Sequence, residues 1–199
     1  GKTRAERLEE ARRARRRKAQ LTRLGLGAVA VVLVGILAVL VISGRRAEQA
    51  ERRRLTAGAC RFDTRNDTLS APPNNHVPPA GYKVDPPSGG NHAPSAAPAA
   101  VYGGERPPPP DSQLVHSLEH GYIVLWHRPD LSEEDMAEIR GVYDGFSRDV
   151  LVVPRASLRD EVAATAWGKR LLCPEVESAR LAEFVRLYRN EGPEKIEHP

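Results

Sequence analysis

The longest apolar stretch of the chain runs from Leu24 to Ser43 and contains 20 residues without a charged side chain. A helix of that length spans about 30 Å, the thickness of a bilayer core. A buried core helix or a cleaved signal peptide would be alternatives. The stretch is too uniformly apolar for the first, and it is too long for the second, with Arg45 and Arg46 where a cleavage site of small residues would stand. It predicts an uncleaved transmembrane helix.

Regular patterns return near Leu114 and alternate between strand and helix. Strands are predicted at Tyr122–His127, which ends at Arg128-Pro129, at Val150–Val153, which stops at Pro154, and at Glu161–Trp167. Ser132 begins a capping-box pattern, and apolar residues follow it at helical spacing as far as Phe146. The pair Cys173-Pro174 is expected to open a last helix that ends near Gly192-Pro193. The order β-α-β-β-α predicts a small α+β domain.

Proline dominates the stretch between these two regions. Twelve of the seventeen prolines lie between Pro72 and Pro110, which excludes regular helix and central strand there. A disordered linker is one interpretation. Isolated histidine and tyrosine residues among tight turn signals favour the other, a long ordered loop that wraps over the domain surface.

Charge is distributed unevenly along the chain. The net charge is +4 overall, but residues 1–54 carry +10 and the remainder carries −6. Basicity therefore belongs to the tail beside the apolar stretch, which argues against nucleic acid as a partner. Ten basic residues precede the stretch and five follow it closely, so the N-terminus is predicted to be cytoplasmic. The resulting organisation is a basic tail (1–23), a transmembrane helix (24–43) embedded in the lipid bilayer, a charged stalk (44–56) and an extracytoplasmic domain (57–199).

The only two cysteines, Cys60 and Cys173, both fall in the predicted outer domain. A bridge between them would persist in an oxidising compartment and would tie the start of the domain to its last helix. Two free thiols or a two-cysteine metal site are the alternatives. The predicted location favours the disulfide.

The segment Leu114–Gly121 carries the densest chemical signal. His116 and His120 are four residues apart, which places both rings on one helical face, and Glu119 lies between them. Two imidazoles so placed suit Zn(II) or Cu(II). His92, after a Gly-Gly-Asn turn, and His76, in a proline-bounded loop, are candidates to complete the site. A hydrogen-bonded network that fixes the loop is an equally good interpretation.

An enzyme is the least favoured interpretation. His116 to His120 matches the H-x-x-E-H motif of some zinc proteases, but that motif belongs to a long helix, and here Gly121 and a strand follow at once. A zinc hydrolase would use Glu119 as its base. No catalytic residue is assigned.

Several motifs together resemble a bacterial family of unknown function, domain of unknown function 3105, which has many actinobacterial members. They are PPSGGNH (86–92), VYGGERPPP (101–109), LVHSLEHGYIVLWHRP (114–129) and TAWG (165–168). The resemblance implies an anchored or secreted domain in which His92, His116 and His120 are hallmark positions. The resemblance implies no particular activity. Its one functional hint is that some relatives are encoded near copper-handling proteins.

Two functions remain as hypotheses. In the first, the outer domain binds Zn(II) or, preferably, Cu(II) through His76, His92, His116 and His120, with Glu119 as a supporting residue. In the second, the domain is a non-catalytic accessory or interaction subunit of a membrane complex, for example a respiratory one, and its histidines are structural.

Overall fold

A computed structural model describes residues 32–64, 76–77 and 81–194. The chain divides into two units, Gly1–Ala50 and Glu51–Pro199. The predicted basic tail (1–23), the start of the predicted transmembrane helix (24–31) and parts of the proline-rich loop (65–75 and 78–80) lie outside the described residues. The membrane placement of residues 24–43 therefore stays a prediction.

Residues 32–55 are helical and form α1. Its large apolar side chains from Val32 to Ile42 are between 46% and 67% exposed. Within the described part of the chain, no helix is both long enough and apolar enough to cross a membrane. In the second unit, Leu55 at the end of α1 is fully buried in the core.

The second unit is a mixed α+β domain, as the sequence predicts. Its elements, in chain order, are β1 (Arg61–Asp63), α2 (Asp111–Glu119), β2 (Ile123–His127), α3 (Glu133–Gly145), β3 (Val150–Pro154), β4 (Val162–Ala166), β5 (Lys169–Cys173) and α4 (Ser178–Tyr188). Ser132 is the N-cap of α3, as its pattern predicts, since its hydroxyl accepts a hydrogen bond from the amide of Asp135.

The five strands form one sheet in the order β1-β5-β4-β2-β3. β2 and β3 pair in parallel, with α3 between them in the chain, and the other neighbours pair antiparallel. Alternation of side chains along β2 separates two cores: Ile123 and Leu125 face α3 and α4, whereas Val124 and Trp126 face α2 and the proline-rich loop. Because both faces are covered, every residue of β2 is buried.

The last helix begins later than predicted. Cys173 ends β5 rather than opening α4, which starts at Ser178. β5 forms a hairpin with β4 through Trp167 and Gly168, and Gly168 has the left-handed backbone (φ +74°) that such a tight turn favours. The charged residues Lys169 and Arg170 at the start of β5 obscure this strand in the sequence pattern. β1, only three residues long, is likewise absent from the prediction.

The disulfide between Cys60 and Cys173 is present and joins residues 113 positions apart. Cys60 immediately precedes β1, and Cys173 ends β5, the strand that β1 pairs with. The bridge therefore ties the start of the domain to the sheet, not to the last helix as predicted.

The described part of the proline-rich loop is ordered against the domain. The amide of Tyr102 donates to the carbonyl of Val152, and the amide of Val152 donates back to Ala100. Arg155 anchors the loop at Asp85, with which its guanidinium forms an ion pair. The same guanidinium donates two hydrogen bonds, of 2.8 and 3.1 Å, to Asp111 at the start of α2. Ordered wrapping is thus the correct interpretation for residues 81–110.

Candidate metal centre

Helix α2 and its C-cap residue position three polar side chains of the candidate site, those of His116, Glu119 and His120. Leu114 and Leu118, four residues apart, are fully buried against the sheet. This fixes the rotation of the helix and directs His116 and His120 to another side, where their ring centroids lie 4.5 Å apart. The i,i+4 spacing predicted that proximity. Glu119 is also fully buried.

The proline-rich loop brings His92 to this helix. The amide of Ala97 in the loop donates a hydrogen bond to the hydroxyl of Ser117 on α2, and that hydroxyl donates to the carbonyl of Ala97. His92 is fully buried, and its Nδ1 lies 2.8 Å from the carbonyl oxygen of Gly90. Gly90 has φ +105°, a conformation that side chains disfavour, which lets the loop turn back toward its own histidine.

His116 bonds to the same loop. Its Nδ1 lies 2.7 Å from the carbonyl oxygen of Ala93. Because a carbonyl only accepts hydrogen bonds, Nδ1 must carry a proton in both His92 and His116. In the neutral rings Nε2 then keeps its lone pair. Burial lowers the pKa of His116, and the neighbouring rings of His92 and His76 lower it further, against the opposing effects of the Ala93 carbonyl and Glu119. The neutral form of His116 is therefore favoured.

His76 completes a group of three rings. Its ring centroid lies 5.0 Å from that of His92 and 4.9 Å from that of His116. The side chain of His76 is 41% exposed, whereas His92 and His116 are buried. One ligand atom from each of His76, His92 and His116 lies within 4.8 Å of the others, a spacing that allows all three to hold one metal ion.

Glu119 lies against this group. Its Oε2 is 3.0 Å from Nε2 of His92 and 3.7 Å from Nε2 of His76. Despite the short distance, the His92 contact lacks the direction of a hydrogen bond, and neither oxygen of Glu119 has a hydrogen-bond partner among the described residues. A buried carboxylate without such partners is costly unless a cation compensates its charge.

The segment after α4 adds an unpredicted acid. Glu194 forms a second candidate group with His76, His116 and Glu119, again within 4.8 Å. Its backbone amide donates to the carbonyl of Glu119 (3.1 Å), which docks the segment on the end of α2. No sequence signal marks Glu194, since only the folded chain brings residue 194 to residue 119.

His120 lies beside His116, as its spacing predicts. It belongs to neither group of converging ligand atoms in the described part of the chain, and its role as a metal ligand stays a prediction. Its Nδ1 lies 3.7 Å from Oε2 of Glu194. His116 and His120, the i,i+4 pair of the protease-like motif, therefore do not both supply ligands to either group. Glu119, which was predicted as a supporting residue, offers a ligand atom to the group that also contains Glu194.

The chain belongs to the family described as Protein of unknown function (DUF3105), which matches residues 76–198. The matched region contains all of the candidate ligands. No curated protein and no solved structure matches the chain.

Proposed function

We propose that the outer domain binds one divalent metal ion, Zn(II) or Cu(II), through Nε2 of His76, His92 and His116. The observation that carries this proposal is that the two buried rings, His92 and His116, have the same hydrogen bond at Nδ1. Each donates its Nδ1 proton to a backbone carbonyl, of Gly90 or of Ala93, and so offers its Nε2 lone pair to the cluster. Metal-binding histidines are held in this way, because the outer hydrogen bond fixes both the tautomer and the ring orientation.

The charge of Glu119 supports a cation at the same place. A metal ion would compensate the charge of the buried carboxylate, whose Oε2 lies 3.0 Å from Nε2 of His92. Glu194 could bring a second carboxylate to the ion. The site would then have three nitrogen ligands with acidic oxygens beside them.

The donor set favours Zn(II) and Cu(II) among common metals. Imidazole nitrogen suits both ions, whereas Cu(I) prefers thiolate and thioether sulfur. Both cysteines are committed to the disulfide. The association of some family members with copper handling agrees with Cu(II) but does not discriminate it from Zn(II).

The second candidate function is that of an accessory subunit of a membrane complex in which the histidines are structural. The same hydrogen bonds favour it, because they hold residues 90–93 against α2 whether or not a metal binds. In this case His92 would be protonated at both nitrogens and would form an ion pair with Glu119. Metal content separates the two candidates.

The metal proposal is tested on the full-length protein, purified without a histidine tag in a nonionic detergent. After loading with Zn(II) or Cu(II) and dialysis, we expect about one ion per chain by mass spectrometry of the metal. His116→Gln should lose most of it. His127→Gln is the matched control, since His127 is also buried and also has Nδ1 on a backbone carbonyl, that of Arg128, but lies outside the cluster.

A result below roughly one tenth of an ion per chain would overturn the proposal. Equal loss in both variants would also do so, because it would show a general effect of destabilisation. The electron paramagnetic resonance spectrum of the Cu(II) form identifies the ligands: three coupled nitrogens indicate the three-histidine group, and two indicate the group with Glu119 and Glu194.

We further propose that residues 24–43 anchor the domain in a membrane, on its extracytoplasmic side. The described part of this stretch is helical, with its large apolar side chains exposed to between 46% and 67%. The disulfide agrees with an oxidising compartment. Protease added to intact cells should digest a C-terminal tag and spare an N-terminal one; the reverse pattern would contradict this orientation.

A further inference from the structure

The candidate metal ligands differ sharply in their access to solvent. His92 and Glu119 are fully buried, and His116 is only 5% exposed. By contrast, the side chains of His76 and Glu194 are 41% and 47% exposed. An ion held by these residues would therefore be enclosed by protein on one side and would reach solvent on the other.

The two exposed ligands form a single opening. One ligand atom of His76 and one of Glu194 lie within 4.8 Å of each other, and both belong to the same candidate group. On the buried side, the ring of Trp167, in the turn between β4 and β5, packs nearly perpendicular to that of His92, with 5.9 Å between their centroids. Solvent therefore has access to the site beside His76 and Glu194 but not at His92.

The buried ligands are also fixed more firmly than the exposed ones. Hydrogen bonds from Nδ1 to backbone carbonyls hold the rings of His92 and His116. The side chains of His76 and Glu194 have no hydrogen bond in the described part of the chain, and their ion-pair contacts are 3.7 Å long. Because exposed side chains change rotamer rapidly, either of these two can leave the ion without a rearrangement of the fold.

We propose that the ion is exchangeable cargo, which enters and leaves between His76 and Glu194. This inference rests on the proposed metal binding and adds that the ion is passed on rather than kept as a structural component. In the transfer step, the bond from Nε2 of His76 to the metal breaks as an imidazole or carboxylate ligand of the acceptor bonds to it. His92 and His116 hold the ion until the acceptor has taken it.

The test measures transfer of the ion from the full-length protein to a chelator. The protein, in a nonionic detergent, is loaded with Zn(II) or Cu(II), whichever ion the metal analysis finds retained, and is mixed with pyridylazoresorcinol in a stopped-flow spectrometer. If the acceptor attacks the exposed side, the transfer rate should rise with the chelator concentration. An enclosed structural ion would leave at a rate that does not depend on the chelator, because the protein must first open.

Replacing the exposed ligands should speed transfer. His76→Ala should still bind the ion through the buried rings, but at least about tenfold more weakly, since even supporting groups of a metal site contribute that much to affinity. It should also pass the ion to the chelator faster than the parent protein, because the step that frees His76 is no longer needed. Glu194→Gln should speed transfer for the same reason. Glu175→Gln is the matched control, because Glu175 is exposed and belongs to neither candidate group.

The outcomes separate this inference from the function on which it rests. Transfer that is independent of the chelator, from a protein that holds about one ion per chain, would overturn the inference and leave metal binding in place. A parental transfer rate in both His76→Ala and Glu194→Gln, or loss of all binding in His76→Ala, would also overturn it. Metal content below roughly a tenth of an ion per chain would overturn the proposed function itself.

Discussion

Nε2 of His92 lies 3.0 Å from Oε2 of Glu119, although both side chains are fully buried and no hydrogen bond joins them. Nδ1 of His92 donates to Gly90, so Nε2 of the neutral ring keeps its lone pair. The carboxylate of Glu119, buried beside it without a hydrogen-bond partner among the described residues, is costly to keep ionised alone. A metal ion shared with the neighbouring rings, or a second proton on His92, would supply a compensating positive charge.

Replacing Glu119 by glutamine distinguishes these two cases. If the site is built for a metal, Glu119→Gln should stabilise the metal-free protein, because an uncompensated buried charge disappears. It should also reduce the rise in melting temperature that Zn(II) produces. Thermal unfolding with and without Zn(II) measures both effects. Glu138→Gln, an exposed change on α3, is the control.

The opposite result would support the structural alternative. If His92 is an imidazolium, Glu119→Gln removes one partner of a buried ion pair, and the metal-free protein should lose about 3–5 kcal/mol of unfolding free energy. A strong loss of stability in the absence of metal, with no effect of Zn(II) on the parent protein, would therefore contradict the metal proposal.

Docking of the segment after α4 depends on the absence of a side chain at Gly192. A Cβ there would collide with the carbonyl oxygen of Glu119 and the amide of Gly121, both backbone atoms that cannot move aside freely. Gly192→Ala should cost about 1–3 kcal/mol in a denaturant titration. It should also displace Glu194 from the metal centre.

Gly141→Ala is the matched control for this change. Gly141 lies inside α3, and a Cβ there would meet nothing within 4 Å. Alanine should therefore stabilise the helix by about 0.5–1 kcal/mol. Destabilisation of similar size in both variants would show that the docked segment does not cause the effect at Gly192.

The disulfide should contribute strongly to stability. It joins residues 113 positions apart, and closing a loop of that size restricts the unfolded chain by about 4–5 kcal/mol in the chain-entropy model. The double variant Cys60→Ala/Cys173→Ala should lower the free energy of unfolding by about 2–5 kcal/mol. Adding a reductant should destabilise the parent protein and leave the variant unchanged. A reductant effect on the variant would point to another cause.

Stability of the metal-free protein should decrease in mild acid. Burial lowers the pKa of His127 below its ordinary value of 6.5, and Arg140 lowers it further, against the opposing hydrogen bond to the Arg128 carbonyl. As the pH falls below 6.5, the unfolded chain binds a proton that the folded protein does not, so the free energy of unfolding falls. The loss continues until the pH reaches the lowered pKa of the folded state.

Denaturant titrations at pH 7.5, 6.0 and 5.0 in the presence of a chelator measure this dependence. Each unit of pKa difference corresponds to about 1.4 kcal/mol. His127→Gln should flatten the dependence in part, because buried His116, whose pKa is also lowered, still titrates. An unchanged slope in the variant would show that His127 does not contribute.

Local patterns were sufficient for much of the fold. The apolar runs at 122–127 and 150–153 and the capping box at Ser132 each depend on neighbours within a few residues, and the corresponding elements β2, β3 and α3 are present. β5 and the start of α4 were not predictable in the same way. Pairing of β5 with β4 and β1, rather than the alternation of its own residues, makes Lys169–Cys173 a strand.

By itself, the sequence determined the α+β character of the domain and the adjacency of His116 and His120, because helical and strand periodicity act over short distances. It favoured a bridge between the only two cysteines, and the structure contains that bridge. Tertiary structure alone decided which side chains meet. It placed His76 and His92 from the loop, and Glu194 from the segment after α4, beside the buried Glu119, while His120 turned toward Glu194. Contacts between residues 76, 119 and 194 depend on the path of the whole chain, and no local pattern encodes that path.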